Sequence, residues 1–127
     1  MDIKERFLKY VSFHTASDEE SASCPSTKRQ LALAQYLAQE LKSIGLEDAD
    51  FDEKGYVYAH LKANYDTSDA IGFISHYDTS PDASGANVKA RIVRNYDGTD
   101  IVLSPGILSS TEIFPELLLH KGEDLIV

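Results

Sequence analysis

Six consecutive uncharged residues, Ala70-Ile71-Gly72-Phe73-Ile74-Ser75, constrain this chain more than any other stretch. A short apolar run bounded by polar, turn-like sequence (here Ala63–Asp69) is the pattern of a strand covered on both faces. Such a strand needs a layer on each side, and the preceding residues supply a candidate. Thr27 with Gln30 forms a possible capping box, and Leu33, Leu37, Leu41 and Ile44 then recur on one face until Gly45. The expectation is a long helix ending at Ile44, packed on a buried central strand.

The remaining elements fit an α/β pattern. Ile3, Phe7, Tyr10 and Val11 have the spacing of one helical face, and His14–Ser26 reads as a polar loop. Ala49–Asp52 and Tyr56–Lys62 read as strands joined by Glu53-Lys54-Gly55. Pro81, Gly85, Gly98, Pro105 and Gly106 break residues 80–111 into loops and short strands. A short helix is expected over Glu112–His120 and a last strand over Asp124–Val127. Alternating helices and strands predict a mixed sheet with some parallel pairing. At 127 residues the chain has the length of one domain, and 43% hydrophobic content excludes intrinsic disorder.

Twelve basic against twenty-one acidic residues give a net charge of −9, which excludes a phosphate-tracking nucleic-acid surface. No apolar run approaches the roughly 20 residues needed to cross a bilayer, so no membrane partner is expected. The start, Met1-Asp2-Ile3-Lys4-Glu5-Arg6, lacks the apolar core of a signal peptide. The single cysteine, Cys24, has no partner within the chain and no neighbour that would depress its pKa. A reducing, cytoplasmic setting fits these features.

The chemistry-bearing residues follow the apolar run. His76 and Asp78 stand two apart at its carboxyl end, where ligand sites of open α/β sheets lie. A neutral imidazole ligates zinc well, and a carboxylate on its other nitrogen fixes the tautomer. On spacing alone the choice stays open, because a His-x-Asp pair is more commonly a hydrogen-bonded turn. Zinc also needs three or four ligands, and His14, His60 and His120 do not complete a set. A serine hydrolase is excluded, because Ser75 lacks a Gly-x-Ser-x-Gly elbow.

The segment Gly72-Phe73-Ile74-Ser75-His76-Tyr77-Asp78-Thr79-Ser80-Pro81-Asp82 resembles the tripeptide aminopeptidases of the peptidase T family. These belong to the co-catalytic zinc exopeptidases, with carboxypeptidase G and the aminoacylases. The resemblance continues through Glu53-Lys54-Gly55, Asn95-Tyr96-Asp97-Gly98, Leu103-Ser104-Pro105, Phe114-Pro115 and Leu125-Ile126. It implies that His76 binds one of two zinc ions and that Asp78 is the catalytic acidic residue assisting it. It departs at Tyr77, where the family usually carries a smaller apolar residue. The expected consequence is altered packing, with the ring directed away from the metal.

The resemblance further implies a bridging aspartate, a Glu-Glu pair, another carboxylate and a final histidine, and none of these is present. Residues 1–127 are therefore expected to form the N-terminal portion of a catalytic domain that is three-layer αβα when complete. The parent would cleave the N-terminal residue from tripeptides. This chain alone would be inactive, hold no zinc firmly, and self-associate through an exposed sheet edge. Two rival readings stay open: a related zinc amidohydrolase or dipeptidase, and a short non-catalytic interaction module.

Overall fold

In the computed structural model, which describes residues 1–127, the chain begins with a reciprocal helix cap. Asp2 accepts from the Glu5 backbone N–H at 2.7 Å, and Glu5 accepts from that of Asp2 at 3.0 Å. The capped helix, α1, runs Ile3–Tyr10. It buries none of its residues: Ile3 and Phe7 stay exposed, and Arg6, Lys9 and Tyr10, with Phe13 just beyond it, make the tertiary contacts. Tyr10 and Phe13 place their rings 6.1 and 5.4 Å from that of Tyr36, with the Lys9 ammonium over Phe13 and Tyr36. The Tyr10 hydroxyl donates to Glu40, which Arg6 also pairs at 2.9 Å. Burial, then the Glu40 hydrogen bond, pushes the Tyr10 phenol up to about 12.

Tyr36 and Glu40 belong to α2, Gln30–Ser43. Its end matches the sequence reading: Leu46 N–H bonds Leu41 C=O, Gly45 N–H bonds Lys42 C=O, and Gly45 takes φ +101°. These are the two bonds of a Schellman cap. Its start differs. The Thr27 hydroxyl donates to the Ala16 carbonyl at 2.9 Å, so it caps no helix, and Gln30 bonds Ser26 instead of closing a box. The buried face also shifts: Gln30, Leu33, Ala34 and Ala38 are buried, Leu37 and Leu41 are half-buried, and Ile44 is exposed. Small alanines allow close approach on one side, and the Leu37–Ile44 edge is left facing an open groove.

The strands β1 (Asp50–Phe51) and β2 (Val57–Tyr58) form the expected hairpin against α2, pairing Asp50 with Tyr58 and Phe51 with Val57. Asp52 tightens the turn by accepting from the N–H groups of Lys54 and Tyr56, and Gly55 takes φ +87°. The expected continuation of the second strand to Lys62 is absent. After Tyr58 the Asp48 carboxylate takes over, accepting from His60 through the backbone at 3.0 Å and the ring at 2.6 Å. Those two bonds, backbone first, hold Asp48 below the usual carboxylate range.

The largest correction concerns Ala70–Ser75. It forms no strand, and Ile71, Phe73 and Ile74 are 86%, 94% and 101% exposed. No backbone group of residues 70–78 bonds elsewhere in the chain. A strand exists only where a second backbone satisfies its N–H and C=O groups, and no neighbour lies alongside. Parallel pairing shrinks accordingly to one bridge, Ala16 with Thr79, while every ladder is antiparallel.

The residues so far fall in one compact unit, Met1–Val88; a second comprises Lys89–Val127. In the second, β3 (Ile92–Val93) pairs with β6 (Leu125–Ile126), so the expected final strand is present and partnered. A hairpin joins β4 (Ile101–Ser104) to β5 (Ile107–Ser109). The expected helix is a 3-10 segment, Pro115–His120. At the centre Tyr96, 2% exposed, donates to Thr99 C=O at 2.7 Å and exchanges backbone bonds with Glu123 and Gly122. No helix of the chain is long and apolar enough to cross a membrane. The elements make a mixed α/β chain with short antiparallel ladders.

Candidate functional site

The site is built on the irregular segment that follows the apolar run. Thr79 fixes its far end: its N–H bonds Thr15 C=O at 3.3 Å and its C=O receives the Ser17 N–H at 2.9 Å. Beyond it, Ser80 donates to Asp82 and receives the Asp82 N–H, which closes a small turn around Pro81. The turn keeps the exit of the segment compact.

Just before this anchor, His76 Nδ1 lies 2.9 Å from Asp78 Oδ1. The carboxylate only accepts, so Nδ1 donates and the neutral ring carries its lone pair on Nε2. The His76 side chain is 85% exposed and that of Asp78 about half as much, 41%. The imidazole is thus presented to solvent with a fixed tautomer, and Nε2 is free to accept a proton or ligate a cation. Between the two, Tyr77 turns inward and donates its hydroxyl to Gly55 C=O at 2.7 Å. Burial, then the charges of Asp78 and Asp52, push its phenol above its ordinary value.

The segment borders an open groove of about 970 Å³ lined by Leu37 and Leu41 of α2, Ile44 just after it, Tyr56 of the hairpin, and Phe73. His76 and Asp78 stand in its wall. Cys24, exposed and unpaired, lies on the same groove.

The sequence-derived pair is therefore brought together in one site. The other histidines are not: His60 pairs with Asp48 and His120 with Glu123, at 2.6 and 2.8 Å. His14 comes close to Gly85, where an added Cβ would lie 3.4 Å from its ring. Nowhere do three His, Cys, Asp or Glu side chains stand together as a metal-holding set. The Tyr77–Gly55 bond was not foreseen. Its signal lay in a tyrosine standing where the resembled family has a smaller residue, together with a turn glycine.

No family model matches the chain. Curated relatives do. Peptidase T of Clostridium acetobutylicum is 53% identical over 128 residues, covering 98% of this chain and 31% of that protein. Peptidase T of Caldanaerobacter subterraneus subsp. tengcongensis is 54% identical over 127 residues, and that of Clostridium botulinum 52% over 129. Over nearly its whole length, this chain is related to peptidase T. The resemblance read in the residues around His76 thus extends along the whole sequence. The chain spans about a third of the length of the peptidase T relatives it matches.

Proposed function

We propose that this chain contributes the histidine-bearing part of a zinc-dependent aminopeptidase that removes the N-terminal residue of tripeptides in the cytoplasm. His76 is the metal ligand through Nε2, and Asp78 holds the proton on Nδ1. The observation that carries this is the His76–Asp78 hydrogen bond at the wall of a groove, in a chain about half identical to peptidases T. Residues 1–127 are then the first portion of a three-layer αβα catalytic domain that holds two zinc ions.

The donor set of this chain fits one ligand and its support, because zinc takes three or four ligands and no group of three stands together. When bound, the metal supplies Lewis-acid polarisation of the scissile carbonyl. The residues present do the rest of what can be derived. Asp78 keeps the imidazole in one tautomer and raises its basicity, and the apolar groove offers surface to substrate side chains. Alone, the chain has no complete site and is expected to turn over no tripeptide.

The test is a chimera in which residues 1–127 replace the matching third of the Clostridium acetobutylicum protein. Tripeptide turnover is expected, falling at least about 100-fold with His76→Ala and roughly 10- to 100-fold with Asp78→Asn. An active chimera indifferent to His76→Ala would overturn the assignment. So would tripeptide turnover by the 127-residue chain alone with added zinc.

A further inference from the structure

The segment carrying His76 and Asp78 has little of its own to hold it. No backbone group of residues 70–78 bonds elsewhere in the chain, and His76 bonds only Asp78, within the same segment. One hydrogen bond ties these nine residues to another element: Tyr77 Oη on Gly55 C=O, 2.7 Å. The next tie is the Thr79 bridge, after the pair. The two functional side chains thus flank the single residue that anchors their segment to the β1–β2 turn.

The receiving side is shaped for that residue. Gly55 is buried, with φ +87°. A Cβ there would lie 2.6 Å from Tyr77 Oη and 3.5 Å from Leu31 Cδ2 of α2. The absent side chain is what lets the hydroxyl reach the turn. Asp52, which organises the turn by accepting from Lys54 and Tyr56, makes this a stiff platform.

We propose that Tyr77 is a positioning residue, its hydroxyl on the Gly55 carbonyl fixing the segment that presents His76 and Asp78. The functional consequence rests on the reading of His76 as a metal ligand; the structural consequence does not. Releasing the hydroxyl leaves the pair held from one side only, by Thr79. The segment then samples more conformations, and the Asp78 carboxylate meets Nδ1 for a smaller share of the time.

The test uses the full 127-residue chain labelled with ¹⁵N, the ring nitrogens of His76 being read at a pH where imidazole is neutral. The wild type is expected to show a protonated Nδ1 and a bare Nε2, with backbone heteronuclear NOEs at 76–78 close to those of α2. In Tyr77→Phe the tautomer ratio should fall two- to tenfold, about the worth of one hydrogen bond, and the NOEs at 76–78 should drop while those of α2 hold. Zinc alone, added as a probe, should perturb His76 less in the variant by a similar factor.

Gly55→Ala is the second variant. It should shift the His76 ring signals in the wild-type background and add nothing in the Tyr77→Phe background, because both changes break the same contact. A Tyr77→Phe chain that melts earlier yet keeps its His76 ring shifts and NOEs would overturn the proposal. Additive effects of the two substitutions on the ring signals would overturn it too. If zinc leaves His76 untouched even in the wild type, the metal-ligand reading fails, and the tautomer and NOE measurements still decide the role of Tyr77.

Discussion

Residues 70–75 and residues 95–98 invert what their sequences suggest. The first stretch is uncharged and rich in large apolar side chains, yet it lies open, with Phe73 almost fully exposed. The second, Asn95-Tyr96-Asp97-Gly98, is polar, yet it encloses the most buried large side chain of the chain, Tyr96. The difference is in the supply of partners. Tyr96 bonds the backbone groups of Glu123, Gly122 and Thr99, and the Asp97 carboxylate in turn holds Thr99 through its N–H and hydroxyl. Around Phe73 no backbone answers. Hydropathy measures how favourable burial would be; burial itself needs a surface within reach.

The contrast can be broken most forcefully at Tyr96. Tyr96→Ala removes a buried aromatic ring and should cost about 3–5 kcal/mol, which would unfold residues 89–127; denaturant unfolding followed by NMR in that region checks it. A loss below about 1 kcal/mol would mean that the polar turn stands without its tyrosine.

Glycines give the next largest effect. Gly98 takes φ +92°, and a Cβ there would lie 2.0 Å from Lys121 Cε. The lysine end can move aside and the backbone cannot, so Gly98→Ala should cost about 1–2 kcal/mol. At Gly72 a Cβ meets nothing within 4 Å, so Gly72→Ala should be neutral within about 0.5 kcal/mol. Comparable losses at both positions in thermal unfolding would erase the distinction between the two regions.

On the open segment, Phe73→Ser should change folding stability by less than about 0.5 kcal/mol while lowering dye binding and self-association. A loss of several kcal/mol on removing the ring would show that the segment is packed after all.

The pH responses are the mildest. Thr99 holds Asp97, and Thr111 holds Asp100, below the ordinary carboxylate value through backbone and hydroxyl bonds. A depressed pKa contributes stability that is present above the unfolded value and lost as pH falls through the folded one, so this turn should loosen only under acid conditions. Tyr10 behaves oppositely. Its phenol is raised from 10.0 to about 12, so its contribution is complete below pH 10 and lost as pH rises toward 12. A pH titration followed residue by residue should place the acid responses at Asp48, Asp97 and Asp100, and the alkaline ones at Tyr10 and the other raised phenols, Tyr58, Tyr77 and Tyr96. Their exchange would refute both assignments.

Much of this was legible in the sequence where structure is set locally. Gly45 announced the end of α2, and Lys54-Gly55 announced the hairpin, because a positive φ leaves few residue choices. The contact between His76 and Asp78 was legible because two residues of separation keep them in one segment, although the strand expected to carry them is absent. What failed depended on distant groups. Thr27 could not be known to bond Ala16 rather than cap a helix, and residues 70–75 could not reveal that no strand lies beside them. Tyr77 was visible as an unusual residue, but its partner twenty-two positions away was not.

The pairing of β3 with β6 has a kinetic consequence. Ile92 meets Ile126 across almost the whole second unit, whereas Thr99 reaches Asp97 two residues away and β4 turns directly into β5. Loop-closure entropy favours the short contacts first. The turn at 97–99 and the β4–β5 hairpin should form early, and the 92–126 ladder should zip shut on the native side of the barrier. Truncating Leu125 would then hasten unfolding and leave the folding rate almost unchanged. The ladder acts as a clasp that sets how long the unit stays folded.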